Sequence, residues 1–423
     1  MSAADPLDRE RMRRHNLGLV LRAVAEGDRP SRTDIALATS LHKTTVSSLV
    51  ADLIDRELVR EAGIAPDGTV GRPAVALELS GERYVAMGLE INVDHLVYRV
   101  VDLHGRVREQ GSVRQDNRAR PPSETLAALA ELIVEPRLRI AQAGSVLVGA
   151  TLALPGLVDP SRGLLLVAPH LGWRDVAVVD ELRAALDTPD VHLRIENEAN
   201  LAALAERWHG AGQTHEDFVY VSGYIGVGAG IVSNGDLHRG ETGFGGEFGH
   251  LTLEANGPPC VCGGNGCVET LAGLDALLRL AGMGSSRQSR VDEVVDAAER
   301  GETRAVEAIE TVGTLLGVGL ASTANLLGSR AIVLGGYFAE LYPWLRTPIE
   351  AQLRQRVLAF PWSPIEVLRS ELRDGAAVSG AAGLALRAIL DNPASAPAST
   401  TEPEDEEPAT AVEGAVEADV ALR

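Results

Sequence analysis

Bulk positive charge, paired cysteines and membrane-length apolar runs are what this chain goes without. Its 423 residues carry 39 Lys and Arg against 59 Asp and Glu, a formal net charge of −20 at pH 7. That balance excludes a protein that coats nucleic acid by bulk electrostatics, although the distribution of charge matters more than its sum. There are three cysteines. An odd number cannot pair off into disulfides, and nothing at the N-terminus looks like a signal peptide, so a cytosolic, reducing setting is expected. No stretch is read as a membrane span, which takes about 18–20 predominantly apolar residues. What is there is length, with 45% hydrophobic residues, enough for two or three domains with real cores.

All three cysteines stand in one short stretch with a histidine: Gly245-Gly246-Glu247-Phe248-Gly249-His250, then Cys260-Val261-Cys262-Gly263-Gly264-Asn265-Gly266-Cys267-Val268-Glu269. Three thiolates and an imidazole, His250, Cys260, Cys262 and Cys267, make a set that zinc takes in closed structural sites. The glycines between Cys262 and Cys267 let the backbone curl around one ion. In a reducing compartment such a cluster reads as a metal site in preference to three unrelated buried thiols. One structural Zn²⁺ per chain is expected. Glu247 and Glu269 flank the ligands, and a carboxylate beside a metal-held imidazole suits hydrogen bonding to a polyol. The metal would orient a small-molecule site and do no chemistry itself.

The first eighty residues read as a separate unit, with Arg9, Arg11, Arg13 and Arg14 near its start. Leu17, Val20, Leu21 and Val24 recur at helical spacing. A second short helix follows Ser31, which with Asp34 has the positions of a capping box. After the turn Thr39-Ser40-Leu41, a third helix from about Lys43 places Val46, Leu49, Val50, Leu53 and Ile54 on one face. Its other face opens with Lys43, Thr44, Thr45, Ser47 and Ser48, all hydrogen-bond donors and none acidic. Two strands, Leu58-Val59 and residues 74–79, enclose a loop that carries Arg72. This is a winged helix-turn-helix over residues 1–80, whose third helix enters a major groove while Arg72 probes phosphate or minor groove. A protein-binding winged helix is the alternative, and the acid-free front of the third helix weighs against it.

From Tyr84 onward strands and helices alternate: a hairpin of residues 85–91 and 96–103, a helix over 122–142, a buried strand over 146–152, and a short strand at 192–195 before a helix opened by Glu196-Asn197-Glu198-Ala199-Asn200. Strands at 218–221 and 229–232 follow, then long helices over 290–328 and a strand at 331–334 running into Gly335-Gly336. The plan is α/β, with two lobes and mixed sheets. Residues 391–423 are acidic and rich in Pro, Ala, Ser and Thr, a composition that cannot bury a core and is read as a disordered tail.

Residues 81–390 resemble the ROK family of sugar kinases and sugar-responsive repressors, which is built on the actin/hexokinase-like fold. The resemblance is carried by Glu247-Phe248-Gly249-His250 and by the cysteine motif from Cys260 to Glu269, both intact. The winged helix is similar to that of the repressor branch, which includes xylose repressors. The resemblance implies that Asn197 and Glu198 stand where the family's kinases have an Asn-Asp pair that binds sugar hydroxyls. It also carries Glu247, His250 and Glu269 over as sugar ligands. Zinc on one nitrogen of His250 would leave the other as a fixed N–H donor. Asn197 would serve equally as a simple helix cap.

The kinase loops are degraded. Where kinases read Asp-x-Gly-Gly-Thr, this chain has Glu90-Ile91-Asn92-Val93-Asp94, without the glycines that let backbone approach a phosphate. Tyr224-Ile225-Gly226 replaces Gly-Thr-Gly, and Tyr337 follows Gly335-Gly336 where kinases tend to keep another small residue. No catalytic residue is assigned. Two further departures are Glu198 for Asp and His170 where relatives often have asparagine. Trp173 would stack on a sugar or sit in the core. The expectation is a cytoplasmic, sugar-responsive repressor, an operator-binding homodimer or higher homo-oligomer, with a pentose favoured because Glu198 reaches further than Asp. The competing readings are an ATP-dependent sugar kinase with an appended DNA-binding domain, a regulator governed by a protein partner, and a DNA-bound scaffold whose tail recruits one.

Overall fold

A computed structural model describes residues 6–64, 74–81, 83–118, 120–186, 191–284, 291–372 and 375–396. The N-terminal unit folds as its periodicity dictates, with helices Pro6–Glu26, Arg32–Thr39 and Lys43–Asp55 followed by antiparallel strands Val59–Ile64 and Val75–Leu79. The capping box forms: Asp34 N–H donates to Ser31 Oγ at 3.3 Å, and Ser31 N–H donates to the Asp34 carboxylate at 2.9 Å. Ser40, left-handed at φ 57°, ends the second helix and turns the chain toward the third. Val46, Leu49, Val50 and Leu53 are buried against Leu17, Val20, Leu21 and Val24. The strand-joining loop, residues 65–73 with Arg72, lies outside the described residues.

Two five-stranded sheets follow, and they repeat one plan. In the first, Tyr84–Ile91, His95–Asp102 and Val107–Arg114 run as an antiparallel meander, while Val146–Leu154 and then Leu193–Asn197 add on the other side in parallel. In the second, Phe218–Gly223, Val227–Ser233 and Asp236–Leu237 form the meander, and Ala331–Gly336 and Glu366–Arg369 add in parallel. The first hairpin turn of each sheet therefore lies at a corresponding place in its lobe.

Several expectations need correction. The helix expected over 122–142 is two helices, Pro122–Leu132 and Val134–Gln142. Pro136 accounts for the break, since proline is disfavoured in a helix interior, where it kinks or breaks the helix, but is tolerated in a first turn. A three-stranded sheet of Leu157–Asp159, Leu164–Ala168 and Trp173–Val176 was not anticipated. Helix Thr303–Leu327 is long and apolar enough to cross a membrane by length and composition, with a mean hydropathy of 1.3 in its most apolar window. It serves as a core helix: Leu316, Leu320 and Val312 are buried, and the absence of side chains at Gly313 and Gly317 lets it lie close to Pro348 and Gln352 on helix Tyr342–Arg356. The packed body also continues past residue 390. Helix Ala376–Asp391 leads into the turn Pro393–Ser395, and Ala396 is buried. The remainder of the expected tail, residues 397–423, lies outside the described residues.

The winged helix and the first lobe share one hydrophobic core. Leu17, Leu21, Leu53, Leu58 and Leu77 pack with Tyr84, Ala86, Val101, Ala382, Leu386 and Ile389. Polar ties cross the same boundary. Tyr84 Oη donates to the Arg56 carbonyl at 2.7 Å, Arg56 donates to the Ala396 carbonyl at 2.7 Å, Arg22 pairs with Asp391 at 2.7 Å, and Arg83 pairs with Glu57. A cavity at this shared core weakens both units together. Leu386→Ala is expected to cost about 2–5 kcal/mol, the range for a buried Leu. In urea unfolding followed by separate probes in the two units, both should shift as one transition; a shift confined to one unit contradicts the shared core.

Candidate functional site

A cleft is lined from both lobes. The two hairpin turns reach it with Asn92 and Val93 from the first sheet and Tyr224 to Val227 from the second. The helix Glu198–His209 presents its N-terminus to it, and the unanticipated three-stranded sheet delivers Ala168, Pro169 and His170. Asn197, Glu198, Glu247, His250 and Glu269, far apart in sequence, all line this one space. Trp173 does not: it is 3% exposed, belongs to the first lobe's core, and its Nε1 donates to the Arg120 carbonyl at 2.9 Å.

The metal-type cluster forms one wall. The ligand atoms of His250, Cys260, Cys262 and Cys267 all lie within 4.8 Å of one another. Zn–S bonds of about 2.3 Å and Zn–N bonds of about 2.0–2.1 Å in a regular tetrahedron put neighbouring sulfurs about 3.8 Å apart and nitrogen about 3.6 Å from sulfur. Cys262 Sγ is 3.8 Å from Cys267 Sγ, and His250 Nδ1 is 3.6 Å from Cys260 Sγ. Gly266 makes the loop tight enough, at φ +61°, in a place where a side chain would overlap the Glu254 carbonyl. Burial and the neighbouring thiols push Cys267 up to about 12. Burial likewise raises Cys260, whereas the Gly264 N–H lowers Cys262; a bound cation removes the resistance of the two buried thiols to ionising. The donor set fits zinc.

Beside it, Glu269 Oε2 accepts from the Val227 N–H at 3.2 Å and from His170 Nε2 at 3.4 Å. Gly226 permits this approach, because a Cβ there would overlap the Glu269 carboxylate. Burial raises the Glu269 pKa, but the His170 hydrogen bond, the His170 and His250 charges and the Val227 N–H outweigh it and hold the carboxyl below its ordinary range. His170 is raised in turn, chiefly by Glu269. Burial pushes Glu247 upward, against the charge of His250.

The opposite wall holds a polar cluster that the sequence pointed to only as a degraded loop. Asn92 Nδ2 donates to Glu198 Oε2 at 3.1 Å and lies 3.4 Å from Glu90 Oε1. Glu90 is 1% exposed, and its Oε2 has no hydrogen-bond partner among the described residues. His95 bridges Asp94 at 2.6 Å and Glu90 at 3.5 Å. Burial opposes its charge, but the two carboxylates win and hold it at about 10. Glu198 is pushed up to about 7, first by burial and then by the Glu90 charge, against His95 and His170. The signal available in sequence was a run of Glu, Asn, Asp and His at the end of an otherwise apolar strand. Asn197 caps its helix: Oδ1 accepts from the Ala199 and Asn200 N–H groups at 2.9 and 3.1 Å, and Nδ2 donates to the Gly156 carbonyl at 3.0 Å.

Tyr337, next to Gly336, is buried, with its ring edge-on to Phe338 at 4.6 Å. The ring lies where any side chain at Gly223 would have to go, so it fills the space between the ends of strands Phe218–Gly223 and Ala331–Gly336. In the N-terminal unit, Lys43, Thr44, Thr45, Ser47 and Ser48 are all exposed on the third helix. Arg72 lies outside the described residues.

Residues 86–388 match the ROK family, and residues 17–63 match the IclR helix-turn-helix domain. The chain is similar to the xylose repressor of Bacillus spizizenii, with 30% identity over 388 residues that cover 92% of this chain and 99% of that protein. Among solved structures it is similar to a ROK family transcriptional regulator, a homologue of the Escherichia coli MLC protein. That match has a TM-score of 0.76 and 26% identity, over 90% of this chain and 97% of that one. A ROK family glucokinase from Streptomyces griseus, solved with glucose and AMPPNP, aligns with a TM-score of 0.60 and 28% identity, over 72% of this chain and 99% of that one. The regulators align across the DNA-binding unit as well as the lobes, whereas the kinase aligns to a smaller share. The chain belongs to the ROK family, among its helix-turn-helix transcriptional regulators and not its kinases.

Proposed function

We propose that the protein is a cytoplasmic, sugar-responsive repressor of carbohydrate-use genes that binds its operator as a homodimer and a monosaccharide in the cleft between its lobes. The observation that carries this reading is the convergence of Glu198, Glu247, His250, Glu269 and Asn197 on one cleft, beside a zinc-type tetrad and behind a helix-turn-helix. Carboxylates accept from sugar hydroxyls. With His250 Nδ1 on the metal, its Nε2 becomes a fixed N–H donor. The metal supplies order to the loop between His250 and Glu269, and no reaction. The relatives' names, one a xylose repressor and one a transcriptional regulator, support the same reading.

A sugar that prefers the off-DNA arrangement of the lobes weakens operator binding by the ratio of its affinities for the two states. Helix Glu198–His209, which begins in the cleft, packs against helix Ala376–Asp391, whose far end shares the core of the winged helix. That gives the change a contiguous physical route. In the kinase reading a nucleotide would need space that Tyr337 fills, and an approach to a turn without glycines at Asn92 and Val93.

Three outcomes test this reading. Elemental analysis of freshly purified protein should find one zinc per chain, and Cys262→Ser should lose metal and sugar response together; metal-free protein with full response defeats the assignment. Lys43→Ala and Arg72→Ala should each weaken operator binding and flatten its salt dependence by about one phosphate contact, with sugar binding unchanged. Unaltered binding by both at several salt concentrations would place the reading face elsewhere. For ligand choice, Glu198 is one methylene longer than Asp, and a hexose must displace it at about 1–3 kcal/mol. Calorimetry should therefore show xylose preferred over glucose by the parent, with Glu198→Asp moving the preference toward glucose. A parent that prefers glucose refutes the pentose.

A further inference from the structure

We propose that the cleft takes an unphosphorylated sugar and rejects the phosphate ester of the same sugar. This rests on reading the cleft as a monosaccharide site and adds the charge class of its ligand.

Phosphate needs backbone N–H groups turned toward it, a helix N-terminus, or cationic side chains. This cleft has the first two kinds of group, and at each of them the chain's own acceptors already take N–H donors. In the first hairpin turn, the Val93 N–H donates to Asn92 Oδ1 at 2.8 Å. At the N-terminus of helix Glu198–His209, the Ala199 and Asn200 N–H groups both donate to Asn197 Oδ1. In the second hairpin turn, the Val227 N–H donates to Glu269 at 3.2 Å. An incoming phosphate would have to displace an internal acceptor at each place.

Of the third kind the cleft has imidazoles alone. No lysine or arginine lines the cleft among the described residues, while Glu198, Glu247 and Glu269 do. Behind Asn92, Glu90 and Asp94 share the single imidazolium of His95, two carboxylates to one cation, and one Glu90 oxygen has no hydrogen-bond partner among the described residues. The imidazoles present are engaged by carboxylates, His170 by Glu269 at 3.4 Å and His95 by Asp94 and Glu90. A zinc held by three thiolates and a neutral imidazole carries a net negative charge and gives an anion no help. A dianionic ester therefore meets like charge in a partly enclosed space of low dielectric, where repulsion is least screened. A neutral polyol meets the carboxylate acceptors and the His250 N–H without that repulsion.

Calorimetry on the full-length, zinc-loaded protein tests this with xylose, glucose, xylose 5-phosphate and glucose 6-phosphate at two ionic strengths. The free sugar is expected to bind at least about 100-fold more tightly than its own ester, a gap of about 2.7 kcal/mol. The gap should narrow at high salt and in Glu198→Gln. An ester that binds within tenfold of its sugar, or more tightly, overturns the proposal and leaves the monosaccharide site standing. If neither sugar nor ester binds, the monosaccharide reading itself falls. Because Glu198→Gln also changes a hydrogen bond, the salt dependence of the parent decides the electrostatic cause independently of the variant.

Discussion

Close backbone packing around helix Ala376–Asp391 is the constraint on which the rest of the molecule depends. Its residues 376, 377, 381, 382 and 385 are alanines, all buried. A Cβ at Gly380 would overlap the Leu201 carbonyl of the cleft's helix, and one at Gly88 would overlap the Val378 carbonyl. The helix thus lies against the central strand of the first sheet and against the helix that starts at Glu198, with almost no side-chain cushion. Interiors packed at that density transmit displacement in preference to absorbing it. The same helix then supplies Ala382, Ala385, Leu386 and Ile389 to the core of the winged helix. The DNA-binding unit is therefore built onto the lobe, and the boundary near residue 80 is one of chain order more than of packing.

The cleft gathers its character from the repetition of the two sheets. Each lobe offers the turn of its first hairpin, and between them come one helix N-terminus and the metal-type loop. In each case a short polar side chain of this protein satisfies the backbone that a nucleotide or phosphate would otherwise engage. Asn92, Asn197 and Glu269 do in this chain, from within, what a ligand's anion does elsewhere. What is left facing the space is acceptor capacity, which suits hydroxyls. The zinc-type tetrad sits outside the lobes' strands and acts on the cleft by fixing where Glu247, His250 and Glu269 stand.

Much of this was legible in sequence wherever the signal is local. The i, i+3, i+4 rhythm from Val46 to Leu53 set the buried face of the third helix, and Ser31 with Asp34 marked the start of the second. The cysteine and histidine spacing named its own cluster. The α/β plan followed from apolar runs of strand length, most of whose ends fell within about two residues of the observed ones. What stayed hidden depends on partners far away in the chain. Glu90, His95 and Glu198 form a cluster only because strands at 84–91 and 193–197 flank the same neighbour, 146–154. The short strands 157–159, 164–168 and 173–176 carry little periodicity, yet they bring His170 to the cleft. Pro136 was a readable stop within the helix expected over 122–142, and the residues just past 390 look like tail until Arg56 is seen to hold their carbonyls.

Lys43 is the chain's one lysine; apart from histidine, the other basic side chains are all arginine. A guanidinium stays charged and unreactive under conditions in which an ε-ammonium exchanges its proton and is acylated. The exposed front of the third helix is thus chemically singular: it carries the chain's one side-chain primary amine, on the face that the helix-turn-helix turns outward. Blocking it would remove one positive charge there and touch nothing in the cleft. The two working surfaces of this molecule can accordingly be addressed separately, one by amine chemistry and the other by thiol and metal chemistry, without changing the sequence.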